Sequence, residues 1–174
     1  DALRMMRAVR FAAQLDFEIE EETQKSIQEN ASLLTNIAVE RIQIEFEKLL
    51  ISRWRSKGLE AMIQSQLYRY CPDIANKKAA LVSLISDKRR FQDAESAWAY
   101  FLYKIEDYYP GADFKSASFL KKWKLSNKMI NDVLTLLEGL KYRAENELLS
   151  AWEIFNLGLD FSLKIEALVL HLGK

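Results

Sequence analysis

Apolar residues recur every three or four positions along almost the whole chain, and the strict alternation that marks a half-buried strand is absent. Pro72 and Pro110 are the only prolines, so few positions force a break. The pattern predicts an all-α fold with helices over about 1–15, 20–30, 38–50, 57–67, 76–86, 92–106, 113–123, 127–141, 148–156 and 161–172. A turn is expected at Asp16–Ile19, a break at Cys71-Pro72-Asp73, and a loop at Tyr108-Tyr109-Pro110-Gly111, the best candidate for a subdomain boundary. Glu20, Glu21 and Glu22 suit the positive end of the second helix. Thr35 or Asn36 is the expected N-cap before Glu40–Leu50, and Ser126 the N-cap before Met129, Ile130, Val133, Leu134 and Leu137 at core spacing. Gly139 and Gly158 are expected as helix-ending residues. Trp98, Tyr100, Phe101, Tyr103, Trp152 and Phe155 recur at helical spacing and are expected in the core.

The first helix carries more than amphipathicity. Asp1, Arg4, Arg7 and Arg10 stand at three-residue intervals, each step rising about 4.5 Å and turning slowly around the cylinder. Leu3, Met6, Val9 and Phe11 through Leu15 supply apolar surface beside this ladder. A carboxylate acceptor one turn from a guanidinium fork can hydrogen-bond a planar polar group edge-on, as a nucleobase would require. The same spacing also fits an ordinary surface ion pair of little energetic weight, with the acid simply favoured at a helix N-terminus. Periodicity leaves both readings open.

Composition narrows the function classes without choosing one. The chain has 174 residues, of which 49% are hydrophobic and 29% charged, enough for a real core in one domain or two helical subdomains. Twenty-five basic residues balance 25 acidic ones, so a general polyanion binder is not indicated and any RNA contact must come from local patches. Lys121, Lys122, Lys124 and Lys128 form the notable basic cluster, with Trp123 among them and Lys141 and Arg143 as a possible extension. Phosphate binding and a solvated face over a buried Trp123 both fit it. A single Cys71 excludes an internal disulfide framework and fits a reducing, cytoplasmic compartment. With His171 its only histidine companion, a zinc site is excluded. No apolar run approaches the roughly 20 residues of a membrane span, and no signal peptide is visible.

Two ordered motifs add a specific resemblance. Asp1-Ala2-Leu3-Arg4 followed by Arg7, Arg10-Phe11-Ala12 and Leu15-Asp16-Phe17 is similar to the Glu-Asp-x-x-Arg region of bacterial class II tRNA nucleotidyltransferases, the CCA-adding enzymes. Val39-Glu40-Arg41-Ile42-Gln43-Ile44-Glu45-Phe46-Glu47-Lys48-Leu49-Leu50 resembles that family's Glu-Arg-Ile-x-x-Glu-x-x-Lys-Leu-Leu helix. The resemblance covers about the first fifty residues.

It implies a helical neck over about 1–55, carrying the nucleotide-selecting helices, and a helical, tRNA-facing body over about 56–174. The family adds C, C and A to tRNA 3′ ends from CTP and ATP without a nucleic-acid template. Carried over, Asp1 accepts from the exocyclic amino group of cytosine or adenine, and Arg4 donates to the ring nitrogen and, for cytosine, to the carbonyl. Arg7 and Arg10 become candidates for the triphosphate, although Arg10 also suits pairing with the acidic residues at 20–22. Glu40 and Arg41 are expected to support the ladder from behind, with Arg41 to Glu45 as an i,i+4 ion pair and direct nucleotide contact by Arg41 as the sharper alternative. The Lys121–Lys128 cluster would face the acceptor stem. The family's Gly-Gly turn and its paired aspartates for Mg²⁺ have no counterpart here, so the chain is expected to hold no catalytic residue or metal and to be inactive alone. A-adding, CC-adding or poly(A)-polymerase relatives share these motifs, and a non-catalytic RNA-binding or adaptor domain is the alternative from another class.

Overall fold

The computed structural model describes all of residues 1–174. Nine α-helices follow one another: α1 Leu3–Leu15, α2 Glu21–Asn30, α3 Val39–Leu50, α4 Arg55–Gln64, α5 Lys78–Ser86, α6 Ala94–Tyr108, α7 Ser116–Lys122, α8 Asn127–Glu145 and α9 Ala151–Val169. Short 3₁₀ turns occupy Ala31–Asn36, Leu67–Tyr70 and Leu170–Leu172. The architecture is all-α, as the periodicity requires. α1 packs against α3 and α4, α4 against α5, α5 and α8 against α6, and α9 against α8. One continuous apolar core runs from Leu3 to Val169.

The first three packed helices explain how α1 is presented. α1 buries Leu3, Met6, Val9 and Ala13, while α3 buries Ile42, Phe46, Leu49 and Leu50 at i, i+4, i+7 and i+8. Gly58 lets α4 approach α1 closely: a Cβ there would lie 2.7 Å from the Val9 carbonyl oxygen and 2.8 Å from Ala13 Cβ. Gly58→Ala is therefore expected to destabilise the protein by about 1–3 kcal/mol through overpacking against backbone. Thermal denaturation would read this as a drop of several degrees, on the scale of roughly 2–4 °C per kcal/mol. The Trp54 N–H caps the end of α1 by donating to the Ala13 carbonyl at 3.1 Å. Asp16, at φ 55°, ends that helix and pairs with Lys57 at 2.9 Å.

Several expected boundaries move for local reasons. Neither Thr35 nor Asn36 caps α3; the cap position is Ala38, without a side-chain bond, and the Thr35 hydroxyl donates to the Ser32 carbonyl inside the preceding 3₁₀ turn. Ser126 caps α8 as expected, accepting from the Met129 N–H. Gly139 does not end α8, which continues to Glu145. It sits in the helix interior, where a Cβ would meet Ile165 Cδ1 at 2.1 Å, so its role is close approach of α9. Gly158, at φ 80°, does interrupt α9 into the two predicted segments. The earlier one is N-capped by Ser150, whose hydroxyl accepts from the Glu153 N–H at 3.2 Å. The Tyr108–Gly111 loop is tied down rather than free, since the Tyr109 hydroxyl accepts from the Ala79 N–H at 3.0 Å.

The aromatic expectation is met in part. Trp98, Tyr100 and Phe101 are buried on α6, and Phe46 stacks on Trp123 with centroids 4.8 Å apart. Trp152 and Phe155 are not core: they are 71% and 85% exposed, and Leu159 and Leu163 beyond the Gly158 break are exposed as well. Helical spacing identifies a common face but does not say whether another element covers it.

A polar node closes the core near the chain's last residues. The guanidinium of buried Arg55 donates to the carbonyls of Asp87 at 2.7 Å, Arg89 at 3.1 Å, Leu50 at 3.3 Å and Leu84 at 3.4 Å. Asp87 pairs with His171, whose ring stacks on Phe91. Burial pushes the Asp87 carboxyl up, but His171, the Arg89 N–H and Arg55 outweigh it and hold the group below the usual carboxylate range. Asp93 is held low in the same sense: burial opposes, and the Ser96 N–H and Lys164 prevail. A lowered folded-state pKa means that the unfolded chain binds protons first, so this stability is present above the ordinary carboxylate range and lost as pH falls through it. The thermal midpoint should fall on acidification below about pH 4. An Asp87→Asn variant should show a flatter acid limb in a Tm-against-pH series.

Candidate nucleotide-selecting face

The N-terminal turn of α1 and the facing side of α3 form the candidate site. Asp1 precedes the helix and its Oδ1 accepts from the Leu3 N–H at 3.0 Å. Its Oδ2 accepts from Arg41 Nη2 at 3.2 Å. The expected Arg41–Glu45 pair within α3 therefore does not form; Arg41 reaches across to α1 instead. The Asp1 carboxylate is held by two donors and remains 42% exposed, which leaves lone pairs for a ligand.

Arg4, one turn on, is exposed and takes part in no ion pair or side-chain hydrogen bond. Arg7 Nε lies 3.4 Å from Glu45 Oε1, with its side chain 46% exposed. Arg10 pairs with Glu45 Oε2, donates to Gln14 Oε1 at 3.0 Å and covers the Phe11 ring at 4.2 Å. It therefore does not reach the acidic residues at 20–22. The ladder is graded: Arg4 free, Arg7 half engaged, Arg10 locked.

The side chain that locks it is Glu45, buried on the inner face of α3 between the two arginines. Glu40 is exposed and bonds to none of them. The sequence pattern contained the signal: Glu45 is one turn before Leu49 and one after Ile42 on the apolar stripe, where a carboxylate needs a partner. Glu47 completes the support by accepting from Trp98 Nε1 at 2.8 Å, which ties α3 to α6.

The Lys121–Lys128 cluster is divided. Lys122 pairs with Asp73 at 3.2 Å and Lys128 with Asp132 at 2.8 Å, while Lys121 and Lys124 are exposed and Trp123 is buried. Lys141 pairs with Glu106, and Arg143 is buried in a fork with Glu166, so neither extends the cluster. No three Asp, Glu, His or Cys side chains converge as a metal cluster. No helix is long and apolar enough to cross a membrane.

An all-α module with an arginine ladder braced by a buried carboxylate matches two described families. Residues 16–78 match the family described as "Probable RNA and SrmB-binding site of polymerase A", and residues 89–174 match tRNA nucleotidyltransferase domain 2. The chain is 39% identical to a CCA-adding enzyme of Enterococcus faecalis over 98% of its own length and 41% of that protein's. It is 40% identical to one from Lactiplantibacillus plantarum over 92% of its length and 39% of that protein's. The crystal structure of the Bacillus stearothermophilus CCA-adding enzyme in complex with CTP superposes on 99% of the chain and 42% of its own length, with a TM-score of 0.89 at 31% identity. The chain is thus a helical module of the kind found in tRNA nucleotidyltransferases. It belongs to the CCA-adding enzyme family and spans about 40% of the length of the curated relatives it matches.

Proposed function

We propose that this chain is the nucleotide-selecting and tRNA-binding part of an enzyme that adds C, C and A to tRNA 3′ ends from CTP and ATP. The carrying observation is the pairing of a doubly held Asp1 with an unengaged Arg4 on one helical turn. The similarity of the chain to CCA-adding enzymes, one of them solved in complex with CTP, supports the reading.

Cytosine and adenine both present an amino donor beside a ring-nitrogen acceptor, whereas uracil and guanine place a carbonyl where that amino group stands. A fixed carboxylate at Asp1 accepts from the amino group, and Arg4 donates to the ring nitrogen. A carbonyl against Asp1 would bring two acceptors together and leave both unpaired, a cost that hydrogen-bonding sites use for strong discrimination. Arg7 extends the ladder toward a phosphate. Arg10 and Glu45 hold its register, and Arg41 orients Asp1. Residues 1–55 act as the selecting neck and 56–174 as the body, with Lys121 and Lys124 free to meet tRNA phosphate. The carboxylates that would bind Mg²⁺ and perform transfer belong to the portion of the enzyme outside these residues, and the chain alone is inactive.

The deciding experiment is nucleotide incorporation by the full-length protein on tRNAs ending before C, before CC and after CC. Addition of C, C and A in order from CTP and ATP alone supports the reading; A-only, CC-only or homopolymer addition assigns a related activity. No incorporation on any substrate would favour a non-catalytic RNA-binding role.

A further inference from the structure

A set of cations without ion pairs lies away from the lysine cluster, at the junction of the α3–α4 turn and the α5–α6 loop. Lys48, Arg53 and Arg90 line a concavity of about 290 Å³ together with Gln14, Ile51, Ser52 and Trp54. No acidic side chain lines it. Lys88 and Arg89 stand exposed beside Arg90 in the loop. None of these five cations has a carboxylate within ion-pairing distance. In a chain whose charges balance overall, five unpaired cations on adjoining segments form a local positive field.

The fold holds this arrangement in place. Buried Arg55 bonds the carbonyls of Leu50, Leu84, Asp87 and Arg89, which clamps the α5–α6 loop against the α3–α4 turn. Arg90 Nε donates to the Ile51 carbonyl at 3.2 Å, leaving its terminal nitrogens for other partners. Arg53 lies over the Trp54 ring at 5.1 Å, so its guanidinium plane is backed by an aromatic face.

We propose that this pocket anchors a backbone phosphate of the RNA strand whose 3′ end reaches the Asp1–Arg4 pair. Arginine forks match the oxygens of a phosphodiester, and a guanidinium backed by an aromatic ring is held in place for such a contact. The pocket borders the helix that carries the ladder: Gln14, its one lining residue on α1, accepts from Arg10. Arg4 and Gln14 are separated by about 15 Å along α1, so a strand laid along the helix would have its end at the selector while its backbone passes the pocket. This placement rests on the function proposed above, but the charge prediction does not depend on it.

The test measures binding of a fluorescent tRNA acceptor-stem hairpin to the full-length protein across a salt series. Arg53→Gln, and separately Lys48→Gln with Arg90→Gln, should weaken binding on the order of tenfold at fixed salt and reduce the slope of log K against log salt by about one per removed contact. Lys121→Gln with Lys124→Gln should change both less. Arg53 makes no hydrogen bond through its side chain, so its variant keeps the comparison valid if the double variant unfolds. Wild-type affinity and slope in Arg53→Gln would overturn the proposal, as would competition by a polyglutamate peptide equal to that of RNA, which would mark a site for acidic protein. A flattened slope in Arg53→Gln alongside intact UTP rejection in Asp1→Ala would retain the phosphate anchor and remove the selector reading.

Discussion

Replacing Asp1 or Arg4 by alanine in the full-length protein should lower kcat/KM for CTP and ATP by about 100-fold or more, with a much smaller change for UTP. The asymmetry follows from what each side chain does in the proposed site. Asp1 rewards an amino group and penalises a carbonyl, so its removal deletes both the attraction and the rejection. Arg4 has no protein partner to satisfy, so its loss costs the fold little and falls on the ligand. Arg41→Ala should produce a milder version, because Asp1 keeps the Leu3 N–H at 3.0 Å but loses its second donor. Steady-state incorporation with each of the four nucleotides, one at a time, reads all three variants. Undiminished preference for CTP over UTP in Asp1→Ala would defeat the assignment.

The second large effect is expected at Glu45, and it is an effect on folding first. Its side chain is 6% exposed and faces Arg10, itself 12% exposed, as well as Arg7. Glu45→Ala leaves Arg10 buried without its counter-charge, and breaking a buried pair in this way costs about 3–5 kcal/mol. For a chain of this size that corresponds to a fall in the thermal midpoint of roughly 10 °C. Combining Glu45→Leu with Arg10→Met removes both charges and should recover much of the loss, because the penalty comes from the unpaired ion rather than from the missing attraction. A double variant no more stable than Glu45→Ala would show that the pair is needed as a pair. Glu40→Ala, by contrast, should leave the midpoint unchanged within experimental error, since the residue is exposed and bonds to nothing in the ladder.

Prediction of the helices was most reliable where a signal is local. Ser126 caps α8 because a serine followed by an apolar run satisfies a free N–H wherever it stands. Glycine was less legible, since its meaning depends on what lies opposite. Gly158 breaks a helix at φ 80°, but Gly58 and Gly139 stay helical because α1 and α9 come too close for a side chain. Aromatic periodicity was ambiguous in the same way: Trp98 is enclosed by Phe46, Phe101 and Trp123, while Trp152 on an equally regular stripe faces outward.

The candidate site divides along the same line. Asp1, Arg4, Arg7 and Arg10 were visible as a ladder because i, i+3 spacing is a property of one helix, and their similarity to a family motif supplied a chemical meaning. What the ladder does as a set was decided by α3 arriving opposite it. Arg41 chose Asp1 over the nearer-in-sequence Glu45, and Glu45 took Arg7 and Arg10, leaving Arg4 alone uncommitted. The cationic pocket depended wholly on tertiary structure, joining residues at 48, 53 and 90 that no single helix relates. Sequence by itself determined the all-α class, the approximate helical segments and the Asp1–Arg4–Arg7–Arg10 ladder, because these rest on backbone periodicity and side-chain chemistry. Only the tertiary structure decided which charges were neutralised and which stayed free, because ion pairing between helices depends on distances that periodicity within one helix does not contain.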